Sequence, residues 1–262
     1  MRVPIFQVDA FAARRFGGNP AAVMVLPEFL DDAVLQAVAR ENNLAETAFL
    51  VRDGSDWRLR WFTPTVEVPL CGHATLASAW VVCERLVPGS REVAFHTVSG
   101  VLTVQRNRDR FVMDFPARTN VAVEVPPGLA AALGARPTEV FHDGFNYLTV
   151  LDNAATVRGL SPDIAAIKQL EGAVGVIVTA AGDADYDCVS RYFAPAKGID
   201  EDPVTGGAHC ALTPFWSARL GKREIRAFQA STRGGEMICR FKGERVDLEG
   251  ACVFYMEGAA EI

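Results

Sequence analysis

The chain has 262 residues, half of them hydrophobic, and a formal net charge of −6. That is apolar material enough for a large core, with two domains of about 130 residues the better expectation than one. The acidic balance argues against a polyanion binder, which needs clustered Lys and Arg, so nucleic acid is not an expected partner.

In chain order, alternation or β-branched runs predict strands at Ile5–Ala10, Ala21–Leu26, Ala48–Arg52, Trp57–Phe62, Glu92–Thr97, Gly100–Gln105 and Arg110–Phe115. Two helices interrupt them, one from an N-cap at Asp31 or Asp32 through Asn42, the other from Ala74 to Leu86, ended by Pro88-Gly89. The apolar stretch Ala74 to Val82 is too short to cross a bilayer, and Met1-Arg2-Val3-Pro4-Ile5 carries no signal-peptide core. No membrane partner is therefore expected, and the expected location is the cytoplasm.

The alternation breaks at Pro116–Pro127, which places a domain boundary there, between halves 1–118 and 119–262, with the last strand able to return to the first half. The second half is predicted to hold a Pro126–Gly134 helix and a Ser161-capped helix to Leu170. Its strands are expected at Asn146–Leu151, Gly175–Thr179, Tyr186–Phe193, Ile225–Ala230, Glu236–Phe241 and Arg245–Leu248. Its main helix runs from Ala208 to Leu220 and closes on Gly221; Pro214 inside it removes one backbone hydrogen bond and is expected to bend it. The six cysteines, at 71, 83, 188, 210, 239 and 252, form no Cys-x-x-Cys pair and are expected to be free thiols.

The halves echo each other. Arg60-Trp61-Phe62-Thr63-Pro64 matches Arg191-Tyr192-Phe193-Ala194-Pro195 at a separation of 131 positions. Pro69-Leu70-Cys71-Gly72-His73-Ala74 then matches Pro203-Val204-Thr205-Gly206-Gly207-Ala208 at 134, so the second copy carries a loop three residues longer. A repeated strand, turn, glycine and helix points to two similar domains related by a pseudo-two-fold axis.

If the copies face each other, the helix N-termini opened by Gly72 and Gly206 point into one cleft, where free N–H groups suit a carboxylate or enolate oxygen. Three ionisable residues sit at element ends: Glu46, His73 and Asp202. A carboxylic acid partly withdrawn from water can shuttle a proton near neutral pH, a role open to Glu46. A helix N-terminus is expected to lower a histidine pKa, favouring a neutral imidazole at His73. Plainer readings stand beside these: Glu46 as a solvated loop acid or capping partner, Asp202 as an N-cap, His73 as a turn residue.

Four ordered blocks, Gly18-Asn19-Pro20-Ala21, Asn43-Leu44-Ala45-Glu46-Thr47-Ala48-Phe49, Cys71-Gly72-His73-Ala74-Thr75 and Asp202-Pro203-Val204-Thr205-Gly206, resemble the phenazine-biosynthesis PhzF-like family over essentially the whole chain. The resemblance implies an α+β, diaminopimelate-epimerase-like fold: two pseudo-symmetric domains, each a curved, mostly antiparallel sheet around a central helix, with the active site between them. It implies that Glu46 is the catalytic proton carrier, with His73 and Asp202 in support, and that Asn19, Cys71, Gly72, Thr205, Gly206 and Gly207 bind substrate. The implied reaction is an isomerisation by proton transfer along a small carboxylate such as trans-2,3-dihydro-3-hydroxyanthranilate, without metal or organic cofactor, and homodimers are usual. One departure matters. The family's Gly-Ser-Ala is here Gly206-Gly207-Ala208, and losing a hydroxyl that binds a polar substrate group costs about 1–3 kcal/mol, enough to alter substrate preference.

Three rivals remain. A two-thiol racemase would use Cys71, but the matching position is Thr205, which is no thiolate base, although Cys210 is nearby in sequence. A zinc site drawing on His73, His209, Cys71 and Cys210 lacks metal-motif spacing. The third is a non-catalytic small-molecule-binding protein on the same fold, which would have no need to keep Glu46, His73 and Asp202 together.

Overall fold

The computed structural model describes residues 1–262, which divide into two units: Met1–Asp114 together with Glu249–Ile262, and Phe115–Leu248. The boundary thus falls just before the proline-rich segment, and the end of the chain belongs to the first unit.

In the first unit the elements are β1 (Arg2–Ala10), β2 (Asn19–Leu26), α1 (Asp32–Asn42), β3 (Glu46–Asp53), β4 (Asp56–Phe62), β5 (Glu67–Val68), α2 (Gly72–Val81), β6 (Glu92–Thr97), β7 (Gly100–Asn107) and β8 (Arg110–Pro116), the last running across the boundary. The sheet order is β1-β2-β3-β4-β6-β7-β8, and β1 also pairs with the Cys252–Glu261 stretch of the final strand. The second unit follows with β9 (Val121–Ala122), α3 (Leu129–Leu133), β10 (Glu139–His142), β11 (Asn146–Val150), α4 (Ala154–Gly159), α5 (Ile164–Lys168), β12 (Gly175–Ala181), β13 (Cys188–Phe193), α6 (Gly206–Leu220), β14 (Glu224–Gln229), β15 (Gly235–Phe241) and β16 (Arg245–Glu261).

The pairing pattern repeats. In the first unit β1–β2 is antiparallel, β2–β3 parallel, β3–β4 antiparallel, β4–β6 parallel and β6–β7 antiparallel. In the second, β10–β11, β11–β12, β12–β13, β13–β14 and β14–β15 run through the same alternation. Both members of the Arg-aromatic-Phe echo lie at corresponding ends of β4 and β13, so the duplication read from sequence is a duplication of topology.

Each unit buries one helix. In α2 every residue from His73 to Ala79 is buried, and in α6 all but one from Ala208 to Ser217. Neither has a polar side, the signature of a helix surrounded by protein. Their hydroxyls turn back on the helix: Thr75 and Ser78 donate to the carbonyls of Cys71 and Ala74, and Thr213 donates to that of His209. No helix is long and apolar enough to cross a membrane.

Three local expectations change. The helix expected from Ser161 to Leu170 is only the short α5, because Ser161 precedes Pro162 and is pushed out of the helical region, and the short α4 before it was not expected. Asn153 and Asp163 cap them instead, accepting from the amides of Thr156 (2.9 Å) and Ala166 (3.0 Å). The helix expected from Pro126 starts only at Leu129, since Gly128 takes a left-handed φ of 84°. Beyond Val81 the helix widens into a π turn over Val82–Leu86, closed by Val87 N–H on Val82 O at 2.7 Å.

The echo also explains its own arginines. Arg60 forks onto both oxygens of Glu67 at 2.7 Å and lies over Phe62; Arg191 forks onto Glu201 at 2.7 and 2.9 Å and lies over Phe193. The three residues that lengthen the second loop move the partner acid from seven to ten positions downstream and keep the clamp. The second clamp is more buried, and Arg191 also donates to Leu160 O at 2.6 Å. Lysine cannot make a planar fork. Arg191→Lys should therefore lower the unfolding free energy by about 2 kcal/mol, and Arg60→Lys, more exposed, by less than about 1 kcal/mol, as read from urea denaturation.

Candidate active site

The first cluster belongs to the first unit and joins three element starts. Asn19 opens β2, Glu46 opens β3, and Cys71 and His73 flank the first residue of α2. Glycine at 18 is required: φ is +64°, and a Cβ there would lie 2.2 Å from Ala10 O. Parallel pairing of β2 with β3 sets Ala21 opposite Glu46 and brings the two strand starts together.

All four side chains are withdrawn from water, with Glu46 8%, His73 5%, Cys71 6% and Asn19 0% exposed. Asn19 Nδ2 lies 3.2 Å from His73 Nδ1, Cys71 Sγ is 3.5 Å from the same nitrogen, and His73 Nε2 is 3.0 Å from Glu46 Oε2. In a neutral ring these two donors would make Nδ1 the acceptor and put the proton on Nε2, toward Glu46; an imidazolium donates from both nitrogens, which requires the Asn19 amide to present its oxygen to Nδ1. The Nε2–Oε2 approach is close but lacks the direction of a hydrogen bond, and both atoms are buried without another partner. Buried polar atoms in a core are normally satisfied, and a facing pair that is not is a functional-site signal.

The expectation of a neutral, low-pKa His73 is reversed. Burial works against the imidazolium, but the charges at Cys71 and Glu46 outweigh it and hold the His73 pKa well above its usual value. Burial, reinforced by the Glu46 charge, pushes the Cys71 thiol up, which keeps it protonated; we therefore assign the rise at His73 to the Glu46 carboxylate. A protonated, buried thiol is a poor base, which weighs against thiol-based racemisation. Glu46, Cys71 and His73 offer donors within 4.8 Å of one another. The thiol, however, faces Nδ1 and the carboxylate Nε2, so one ion cannot use both contacts to the ring as it stands.

The second cluster belongs to the second unit. Asp202 does not cap α6; its Oδ2 accepts from Thr205 Oγ1 at 2.6 Å. Thr205 is the N-cap residue, as Cys71 is for α2, but with its hydroxyl on Asp202 it supplies no cap. Gln229, at the end of β14, ties the loop together: its Oε1 accepts from Thr205 N at 2.9 Å, and its Nε2 donates to Asp202 O at 2.7 Å and Thr205 Oγ1 at 3.1 Å. Gly206 and Gly207 open the helix.

Sequence reasoning missed Gln229, which carries no signal beyond its strand end, and Arg118, which sits in the presumed linker. Arg118 is held against α6 by the consequence of Pro214: a proline has no N–H for the carbonyl four residues back, and that carbonyl, Cys210 O, accepts from Arg118 N at 2.9 Å. His209 is fully buried, donates from Nδ1 to Thr205 O at 2.8 Å, and burial lowers its pKa to about 4.

A family model described as phenazine biosynthesis-like protein, PhzC-PhzF, matches residues 8–258. The chain belongs to this family. It is 49% identical to an uncharacterized isomerase of Pseudomonas aeruginosa, with 100% of each chain covered, and 39% identical to the human phenazine biosynthesis-like domain-containing protein, covering 98% of this chain and 99% of that one. Among solved structures, a PhzF-family protein of Enterococcus faecalis superposes with a TM-score of 0.97 at 43% identity over 100% of both chains. A probable proline racemase of Agrobacterium radiobacter, at 12% identity and a TM-score of 0.64 over 99% of this chain and 93% of that one, shares the fold alone. The α+β, epimerase-like architecture is thus the family's.

The two buried histidines should separate in a histidine-selective NMR titration. His73 is expected to titrate well above 6.5 and His209 near 4. Between pH 6.5 and 4 the unfolded chain binds a proton that folded His209 refuses, so stability falls by about 3 kcal/mol as pH drops through that window. The His73 contribution has the opposite sign: it is present below 6.5 and lost as pH rises through the raised folded value. His209→Gln should remove the acid-side slope, measured as unfolding free energy against pH.

Proposed function

We propose that the protein is a cofactor-independent isomerase that moves a proton along a small carboxylate substrate of the dihydrohydroxyanthranilate type. Glu46 is the proton carrier, His73 its charged partner, and Asp202 a supporting hydrogen-bonding residue. The observation that carries this reading is the buried Glu46–His73 pair, 3.0 Å apart with Oε2 and Nε2 lacking any other partner. The names given to the relatives, isomerases among them, agree with it.

The chemistry needs no outside reagent. Glu46 takes a proton from a carbon next to an unsaturated group; the C–H electron pair moves into the conjugated system, and the protonated Glu46 returns the proton at the far end. A cationic His73 stabilises the negative charge that develops on the substrate between the two transfers. Burial of the pair strengthens that effect and excludes water that would quench the intermediate.

The test is deuterium uptake from D2O into dihydrohydroxyanthranilate and related small carboxylates, followed by NMR. Wild type should label or isomerise at least one compound, and Glu46→Gln should slow it by roughly 10²–10⁴-fold with the fold intact. No labelling by wild type across the panel would overturn the enzyme reading in favour of a non-catalytic binding protein.

A further inference from the structure

We infer that Gln229 is a positioning residue for Asp202: it sets the direction of the Thr205–Asp202 hydrogen bond, so that any proton Asp202 takes or gives passes through Oδ1 alone. The inference rests on the function proposed above and deepens the supporting part assigned there to Asp202.

The two units separate what anchors the loop from what Gln229 adds. In both, a serine latches the echoed proline: Ser99 Oγ donates to Pro69 O at 2.7 Å, and Ser231 Oγ donates to Pro203 O at 2.8 Å. Both loops also carry the arginine fork, so each is anchored twice by the same devices. Two residues before each serine stand Thr97 and Gln229. Thr97 turns its hydroxyl onto Gly100 O, 2.7 Å away in its own hairpin, and the loop before α2 is held without it. Gln229 is instead 1% exposed and directs its side-chain amide wholly at Asp202 and Thr205. Anchoring the loop does not call for these bonds, which leaves the Asp202–Thr205 pair as their purpose.

Main-chain partners fix the orientation of that amide. Thr205 N–H can only donate and Asp202 O can only accept, so Oε1 faces the first and Nε2 the second, and a flipped amide would lose both bonds. Nε2 therefore turns its second proton to Thr205 Oγ1 at 3.1 Å. The threonine hydroxyl carries one proton, and its other side-chain contact is Asp202 Oδ2 at 2.6 Å, so that proton goes to the carboxylate. Oδ2 is thereby held as an acceptor, and a proton on Asp202 is confined to Oδ1. The Asp202 backbone is pinned as well, its N–H on Tyr192 O at 3.0 Å and its carbonyl on Gln229. Donation from amide to hydroxyl to carboxylate polarises each bond in turn and strengthens the last one. Proton transfer depends on presenting one oxygen in one orientation, which this chain of donors secures.

The experiment follows the Thr205 hydroxyl proton by NMR, and deuterium uptake by the same carboxylate panel, in the full chain. The variants are Gln229→Met, Gln229→Glu, Thr205→Ser, Thr205→Val and the double variant Thr205→Val with Gln229→Met. Wild type should show a slowly exchanging hydroxyl resonance far downfield, kept in Thr205→Ser and absent in Thr205→Val. Gln229→Met should move it upfield and slow uptake about tenfold through kcat, with KM within about twofold. The double variant should be no slower than Thr205→Val alone, because Gln229 acts through the hydroxyl. Gln229→Glu is nearly isosteric and decides the matter if Gln229→Met does not fold. Its carboxylate accepts the Thr205 proton and draws it from Asp202, whereas the neutral acid donates again; relative to wild type, its uptake should therefore be depressed near pH 8 and recover toward about pH 5. A wild type without the resonance, a Gln229→Glu deficit that is absent or indifferent to pH, or losses that multiply in the double variant would overturn the inference. Failure of the proton-transfer reading is separable: wild type then shows no uptake, while the resonance and its displacement in Gln229→Glu remain to decide the direction of the bond.

Discussion

In each unit the loop that delivers the chain from the sheet to the buried helix is closed by an arginine fork, Arg60 on Glu67 and Arg191 on Glu201. Much else follows from that constraint. A helix packed on all sides, as α2 and α6 are, has only its first turn where polar chemistry can gather, because four N–H groups there have no intrahelical partner. Fixing the loop fixes the angle at which that first turn is presented. In the first unit it sets Cys71 and His73 beside the starts of β2 and β3, and in the second it sets Asp202 and Thr205 beside the end of β14. The loops differ by three residues, yet the clamp recurs. What the two units share is thus the anchored helix start rather than a loop length.

How much of this could be read from the sequence depends on the range of the interactions involved. Strands and the two buried helices were legible because burial imposes a period on neighbouring residues, and the duplication was legible because both copies keep the clamp arginine and its aromatic. Glu46, His73 and Asp202 were singled out by their places at element ends and by family resemblance. Gln229 and Arg118 were not, since each acts through partners distant in the chain: Gln229 on Thr205, and Arg118 on Asp143 and Cys210. Ser161 misled for a local reason, the proline that follows it.

The reversal at His73 shows why magnitude must settle a conflict of signs. A helix N-terminus shifts a nearby charge by about 0.3–1 kcal/mol, up to about 2 where partly buried. A full charge at the 3.0 Å separating His73 Nε2 from Glu46 Oε2 contributes about 5 kcal/mol even at an effective dielectric near 20. The dipole argument was sound in direction and too small to decide the outcome. In the corresponding helix, burial of His209 outweighs its hydrogen bond to Thr205 O, and the pKa falls to about 4. Two histidines in two equivalent helices therefore take opposite charge states because one strand start carries a glutamate.

The same comparison accounts for how a duplicated scaffold comes to hold unlike chemistry. The N-cap positions match, yet Cys71 keeps its thiol on the histidine while Thr205 spends its hydroxyl on Asp202. The second residue of each helix matches as well, and there the contrast is sharper: His73 brings its own titratable ring, whereas Gly207 brings nothing. In the second unit the charge near that turn arrives from outside the helix, on Arg118, and it can do so because Pro214 has released the carbonyl that holds the arginine's backbone. A proline that costs the helix one hydrogen bond thus places a cation at its start, two turns away from the break. Where two halves share pairing order, clamp and helix, their difference in chemistry is carried by such small exchanges of donor and acceptor at the first turn.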